Sequence, residues 1–211
     1  MDYKKYQQSR DVAWEILIDF KIESMPVKIS KIVTKLGIRL YSYHNATDLI
    51  SKMRLEKHAE TCDGFTVRTS KRYYIFYDDT CSPQRCRFTI AHELGHIMLG
   101  HLKNQTYTVK NREPSDDDSP EEQQANVFAS RILSPACVLW GLHVDSADEI
   151  AKLCDISIES AAWRYDRLKL LYEREEEFKK KYGKSCFLLS PLEQKVFTQF
   201  QGYIKDLQGD F

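Results

Sequence analysis

The sequence has no excess of either charge. Its 211 residues include 31 Lys and Arg and 31 Asp and Glu, so the formal net charge at pH 7 is zero. A balanced chain has no overall field that would attract nucleic acid or an anionic membrane, although it can still carry a local basic patch. Direct nucleic-acid binding is therefore not expected from composition.

Long apolar runs are also missing. No window is long and apolar enough to predict a transmembrane helix, and the first residues lack the apolar stretch and cleavage site of a signal peptide. The six cysteines are dispersed, and Cys81 and Cys86 have neither CxxC nor usual zinc-knuckle spacing. We therefore expect free thiols, a cytoplasmic protein and no membrane partner.

What the chain does contain is helical periodicity, interrupted by a few short β-rich segments. Apolar residues recur at helical spacing through most of the sequence. Residues 64–69 and 72–77 are rich in Phe, Val, Ile and Tyr and predict a β-hairpin, and residues 38–43 alternate like a further strand. The predicted fold class is α+β, mostly helical, with a small sheet that precedes a helix at about 84–99.

The window FTIAHELGHIMLGH, residues 88–101, places polar titratable groups in an apolar helical segment. On a helix, His92 and His96 lie on the same face, so their imidazoles can converge on one ion. Glu93 is displaced by ~100° around the axis and can reach a water at that ion without ligating it. This HExxH pattern predicts a zinc site with Glu93 as general base. The alternative is a chance match in which both histidines are hydrogen-bonded in the core.

A catalytic zinc site needs a third protein ligand, and His101 is the nearest candidate. The metzincin pattern HExxHxxGxxH requires Gly and His at the positions that Leu99 and Leu102 occupy here. Because His101 comes one residue early, it would face away from the site if the helix continued. We expect it to cap the helix end or to face solvent, with a contact behind a ligand histidine as the less favoured alternative.

A better candidate lies in EEQQANVFASRILSP, residues 121–135. Glu122 would begin a helix on which the small side chains of Ala125 and Ala129 permit a close approach to the HExxH helix. Glu122 could then ligate the ion, and Asn126 could hydrogen-bond a ligand histidine.

Two alternatives concern the same helix start. Glu122 could complete a capping box with Ser119 and only tie down the first turn. Glu121 could be the ligand instead. Spacing alone does not choose among these.

Both segments resemble known metallopeptidases. HExxH followed by Glu122, Asn126 and Phe128 is similar to the gluzincin pattern of thermolysin-like peptidases. More specifically, RFTIAHELGHIMLGH and EQQANVFASRILSP resemble the ImmA/IrrE family of bacterial and phage metallopeptidases. The resemblance includes MPVKISKIVTKLGIRLY upstream and DEIAKLCDISIESAAWRYDRLKLL downstream, and it leaves the last part of the chain without a counterpart.

The resemblance implies a minimal zincin-like core that binds one zinc ion per chain. It implies His92, His96 and Glu122 as ligands and Glu93 as the base. It also implies an endopeptidase with a specific protein substrate, such as a helix-turn-helix transcriptional repressor or a similar regulator. Cleavage would then switch genes of a mobile element, a phage or a stress response.

We expect three segments along the chain. Residues 1–145 would form the peptidase core, 146–172 a helix-turn-helix-like segment packed on it, and 173–211 a helical extension. The middle segment carries Arg164 and Arg167, but acidic and apolar residues dilute its charge. Two alternative functions remain open: a regulatory protein-binding module with a non-catalytic zinc site, and direct DNA binding through the middle segment.

The sequence does not identify a group that would stabilise the oxyanion. Tyr107, Arg131 and His143 are candidates from position only. The oligomeric state is also not predicted.

Overall fold

The computed structural model describes residues 6–103, 119–183 and 190–209. Tyr107 lies outside the described residues. The chain forms two compact units. The first contains the segment up to Ala13 together with Lys28–Ala129, and the second contains Trp14–Val27 together with Ser130–Phe211. The segment boundaries that the sequence suggests, after residues 145 and 172, stay predictions.

The first unit combines short helices with a small sheet. Its first helix, α1, continues into the second unit, and so does its last, α6. In chain order the elements are α1 (Gln7–Asp19), α2 (Ile29–Lys35), β1 (Arg39–Ser42), a 3-10 turn (His44–Ala46), α3 (Thr47–Met53), α4 (Glu56–Thr61), β2 (Gly64–Arg68), β3 (Tyr73–Tyr77), α5 (Pro83–Met98) and α6 (Pro120–Leu133).

The sheet has three strands in the order β1-β3-β2. β2 and β3 form the predicted hairpin, with Thr66 opposite Ile75, and β1 pairs with β3 in parallel. The side chains of Phe65 and Phe76 are fully buried and stack at 5.1 Å between ring centroids. The prediction of an α+β fold with a small sheet before the HExxH helix is confirmed. α4 and the parallel pairing were not predicted.

The helix that carries HExxH packs against β2 and β3. It begins where Ser82 accepts a hydrogen bond from the backbone N–H of Arg85, and Pro83 occupies its first turn. Residues 89–96 are all buried. The motif therefore lies in the interior of the first unit, on a helix held by the sheet.

A close helix contact brings α6 to α5. A Cβ added to Gly95 would lie 3.0 Å from Cδ1 of Phe128 and 3.2 Å from Cα of Ala125, which is tighter than ordinary van der Waals contact. Ala125 and Ala129 are fully buried. Small residues on both helices thus permit the close approach that the alanines predict.

The second unit is helical over its described residues. Ser146 and Ser157 cap α8 and α9, and Ser190 forms the predicted capping box of α10 with Glu193. After the end of α6, the elements are α7 (Ala136–Gly141), α8 (Ala147–Cys154), α9 (Ile158–Tyr182), α10 (Pro191–Gln199) and α11 (Gln201–Gly209).

The prediction of one continuous final helix is wrong. The helix is interrupted at Phe200, which separates α10 from α11. The buried residues Val196, Phe200 and Ile204 keep a helical spacing across the break. The apolar periodicity therefore continues across the interruption, and the pattern could not reveal it.

Arg164 on α9 is buried inside the second unit. Its Nε donates to Oγ of Ser134 at 3.0 Å, and its Nη2 donates to the backbone oxygen and Oγ of Ser130 at 2.6 and 2.8 Å. A buried guanidinium with these partners is not accessible to a DNA phosphate. The helix-turn-helix-like segment therefore offers less basic surface than its sequence suggests.

No helix in the described part of the chain combines the length and hydropathy needed to cross a bilayer. All cysteines in this part are free thiols: Cys62, Cys81, Cys86, Cys137 and Cys154.

Candidate metal centre

The two histidines of the HExxH motif converge in the interior of the first unit. Nε2 of His92 lies 3.0 Å from Nε2 of His96, and both side chains are almost fully buried. Four-residue spacing on α5 places the rings on one face, as the sequence predicts. Their Nε2 atoms therefore point to a common position.

Glu122 of α6 completes this cluster. Its Oε2 lies 3.1 Å from Nε2 of His92, and its Oε1 lies 3.1 Å from Nε2 of His96. Oγ of Ser119 accepts a hydrogen bond from the backbone N–H of Glu122 at 3.3 Å. The serine thus caps the helix start while the Glu122 carboxylate contacts the histidines. Glu121 is exposed and does not belong to the cluster.

The charges within the cluster stabilise a carboxylate at Glu122. Burial alone would raise the pKa of Glu122, but the hydrogen bonds and charges of His92 and His96 outweigh it and hold that pKa well below its ordinary range. Burial alone would lower the pKa of His96, whereas the hydrogen bond to Glu122 and the nearby carboxylates raise it above its ordinary value. An ionised Glu122 would supply the one negative charge of the three side chains to a cation held between them.

The donor atoms fit a metal ion. One ligand atom from each of His92, His96 and Glu122 lies within 4.8 Å of the others. Two imidazole nitrogens and one carboxylate oxygen form a donor set that zinc accepts in catalytic sites, with a fourth position left for water or substrate. The chain therefore has a cluster that could hold a metal ion.

Glu93 follows His92 in the sequence but lies outside the cluster of His92, His96 and Glu122. Its side chain is buried, and its Oε2 accepts a 2.7 Å hydrogen bond from Oγ1 of Thr66 on β2. Thr66 was not predicted from the sequence. The available signal was a polar residue within the apolar run of the predicted strand GFTVR.

Contrary to the favoured prediction of a side chain that caps the helix end or faces solvent, His101 contacts His96 through its side chain. Its Nδ1 lies 3.0 Å from Nδ1 of His96, and its Nε2 lies 3.0 Å from Oε1 of Gln124. The prediction failed because it extended the helix past its end. Gly100 adopts a φ of 78°, and the backbone N–H of His101 donates to the oxygen of His96 at 3.0 Å, so the chain turns back.

Three other predicted residues are less defined. Asn126 lies on α6, four residues after Glu122, and its hydrogen bond to a ligand histidine stays a prediction. Arg131 and His143 belong to the second unit, and an oxyanion role for either stays a prediction as well.

A second group of potential ligands lies where β3 leads into α5. Asp63, Asp78 and Cys81 also place ligand atoms within 4.8 Å of one another. However, Arg85 pairs with Asp63 at 2.5 Å, and Oδ1 of Asp78 accepts hydrogen bonds from the N–H and hydroxyl of Thr80. These contacts hold the turn that precedes the HExxH helix.

Comparison with known proteins agrees with the geometry. The family model Peptidase_M78, described as the IrrE N-terminal-like domain, matches residues 48–165. The match covers more than half of the chain and includes β2, α5 and α6. No curated protein matches the sequence significantly.

Proposed function

Because the chain belongs to the Peptidase_M78 family of IrrE N-terminal-like domains, we propose that it is a zinc-dependent endopeptidase. One observation carries the proposal. Glu122 of α6 lies against both histidines of the HExxH helix, whereas Glu93 of the same motif stays outside the ligand cluster. Structural zinc sites are usually closed by four protein ligands, while three ligands leave a position open. Among the described residues the cluster supplies three.

In the proposed reaction, His92, His96 and Glu122 would hold one zinc ion per chain. When bound, zinc would supply Lewis acidity, which polarises the scissile carbonyl and makes water a better nucleophile at neutral pH. Glu93 takes the proton of the attacking water through its carboxylate and then delivers that proton to the leaving amine nitrogen. Thr66 holds Oε2 of Glu93 in place by its hydrogen bond. Glu93 is almost fully buried beneath the packing of α5 on the sheet, which limits the access of bulk water to this carboxylate.

The substrate we propose is a specific protein, namely a helix-turn-helix transcriptional repressor or a similar regulator. The support for this choice is the resemblance to the ImmA/IrrE family. Cleavage would act in the gene regulation of a mobile element, a phage or a stress response. We also propose a cytoplasmic location, which the free thiols of the described cysteines support.

The test is incubation of the zinc-loaded protein with a purified helix-turn-helix repressor from its own genome as the candidate substrate. Products are identified by mass spectrometry, and bound zinc is measured by elemental analysis. Wild type should cut the repressor at a defined bond. Glu93→Gln should keep stoichiometric zinc and lose at least ~100-fold in cleavage rate, since a positioned general base contributes about that much.

The matched control is Glu121→Gln, the same change at an exposed glutamate outside the cluster. It should cleave like wild type. Full activity in Glu93→Gln would refute the mechanism. Zinc-dependent binding of the repressor without cleavage by wild type would refute the peptidase and favour the protein-binding module.

A further inference from the structure

The strongest feature that the proposed reaction does not use is a chain of contacts behind the ligand His96. Nδ1 of His96 faces Nδ1 of His101 at 3.0 Å, and Nε2 of His101 faces Oε1 of Gln124 at 3.0 Å. All three side chains belong to the first unit. This series of contacts begins at Nδ1 of His96, whereas Nε2 of the same ring faces Glu122.

The backbone fixes the positions of the residues at both ends of this series of contacts. The left-handed Gly100 closes α5, and the hydrogen bond from the N–H of His101 to the oxygen of His96 fixes the two residues against each other. Gln124 lies on α6, the helix that also carries Glu122. The helices that carry the proposed ligands, α5 and α6, therefore also position His101 and Gln124.

The hydrogen bonds from His96 through His101 to Gln124 can run in two directions, and only one of them leaves His96 able to bind a metal ion. A neutral imidazole carries one N–H and one lone pair. If Oε1 of Gln124 accepts from Nε2–H of His101, then Nδ1 of His101 must accept from Nδ1–H of His96. Nε2 of His96 is then left with its lone pair, which is the form that binds a metal ion.

The reverse order would prevent metal binding. With its amide NH2 toward His101, Gln124 would donate, His101 would donate from Nδ1, and the proton of His96 would lie on Nε2. The two orders differ only in the direction of every hydrogen bond. Gln124, the last residue of this hydrogen-bonded series, therefore helps to determine which ring nitrogen of His96 carries the proton.

We propose that His101 is a positioning residue that, with Gln124 as its acceptor, holds His96 in the tautomer whose Nε2 lone pair faces the metal ion. This inference rests on the proposed zinc site. Groups that accept the second N–H of a ligand histidine also fix the ring orientation, and their loss typically weakens metal binding 10- to 100-fold. A histidine in this role needs its own acceptor, and Gln124 supplies it.

The experiment measures zinc affinity by competition with a chromophoric chelator at fixed pH, using zinc alone as the probe. His101→Ala should bind zinc roughly 10- to 100-fold more weakly than wild type. Gln124→Met removes the acceptor and should weaken binding in the same direction. Gln124→Glu can only accept at this end of the chain and should bind zinc at least as tightly as wild type.

The matched control is His44→Ala, the same change at an exposed histidine outside the cluster. Its zinc affinity should equal that of wild type. Circular dichroism of each variant establishes that it is folded. If His101→Ala does not fold, Gln124→Met and Gln124→Glu still test the inference, because the first should weaken zinc binding and the second should not.

A second readout is the tautomer itself, from long-range ¹H–¹⁵N spectra of the zinc-loaded protein. We expect His101 to carry its proton on Nε2 and His96 to carry its proton on Nδ1. A proton on Nδ1 of His101, or equal zinc affinity in wild type and His101→Ala, would overturn the inference and leave the zinc site standing. Absence of zinc binding by wild type would refute the zinc site itself, and with it this inference.

Discussion

Oγ1 of Thr66 donates a 2.7 Å hydrogen bond to Oε2 of Glu93, and both side chains are buried. Thr66 lies on β2, an edge strand of the sheet, and Glu93 lies on α5. The contact therefore ties the proposed general base to the sheet. A base held by a rigid neighbour keeps its geometry through the reaction, which is where much of its catalytic value lies.

The first prediction concerns that hydroxyl. Thr66→Val keeps the shape of the side chain and removes the donor, so the carboxylate of Glu93 loses one of its restraints. We expect kcat to fall about 10- to 100-fold, because small misplacements of catalytic groups have effects of that size. KM and zinc content should stay near their wild-type values. Steady-state kinetics and elemental analysis measure these quantities.

Thr66→Ser is the control, since it keeps the hydroxyl at the same position. It should recover most of the activity that Thr66→Val loses. The stability of Thr66→Val should fall by about 1–3 kcal/mol, as expected when a buried polar group loses its partner. Unchanged kcat in Thr66→Val would show that the hydrogen bond does not position Glu93.

The second prediction concerns the choice between two adjacent glutamates. Glu122 contacts both histidines, whereas Glu121 is exposed. Glu122→Ala and His96→Ala should lose stoichiometric zinc after dialysis, and Glu121→Ala should keep it. Elemental analysis of the dialysed proteins decides the matter. Zinc loss in Glu121→Ala together with zinc retention in Glu122→Ala would exclude the proposed ligand set.

The parts of the site that regular helices carry could be predicted from the sequence. His92 and His96 are related by one helical turn, and Glu122 lies at the start of a helix with a clear Ser119-Pro120 signal. The structure brings these three residues together. Helical spacing is a local property, so a pattern in the sequence is enough to place His92 and His96 on one face. The choice of Glu122 over Glu121 came instead from the family resemblance.

The parts that depend on how a helix ends, or on contacts between elements, could not be predicted. His101 reaches His96 because Gly100 turns the chain, and periodicity says nothing about residues beyond that turn. Thr66 reaches Glu93 across the interface between sheet and helix. The parallel pairing of β1 with β3 is likewise set by long-range packing.

The third prediction concerns the packing of α5 on α6. Gly95→Ala would place a Cβ 3.0 Å from the ring of Phe128 and 3.2 Å from the backbone of Ala125. In an open helix this change would stabilise by up to ~1 kcal/mol. Here the backbone of α6 would have to move, and overpacking typically costs ~1–3 kcal/mol. We expect a lower free energy of unfolding and weaker zinc binding, because α6 carries Glu122.

Gly202→Ala on α11 is the control, since a Cβ there would meet nothing within 4 Å. It should leave stability unchanged or raise it slightly. Chemical denaturation of both variants, with zinc titration of each, makes the comparison. Equal effects at the two glycines would show that the contact between Gly95 and α6 is not tight.

The fourth prediction concerns alkaline pH and the second unit. Tyr172 on α9 donates from its hydroxyl to the backbone oxygen of Val144 at 3.0 Å. Burial, followed by the negative charge of neighbours such as Glu149, raises the pKa of Tyr172 from 10.0 to about 12. The folded protein therefore holds the phenolic proton more tightly than the unfolded chain does.

A raised pKa gives stability that is complete below the unfolded value of ~10 and disappears as pH rises toward the folded value. Wild type should thus lose stability between pH 10 and about 12 more steeply than Tyr172→Phe, which has no proton to release at this position. Urea unfolding of both proteins across that interval measures the difference, and the alkaline effects that they share cancel. A difference that stays constant with pH would mean that Tyr172 titrates alike in both states, so burial and the neighbouring negative charges would not restrain its ionisation.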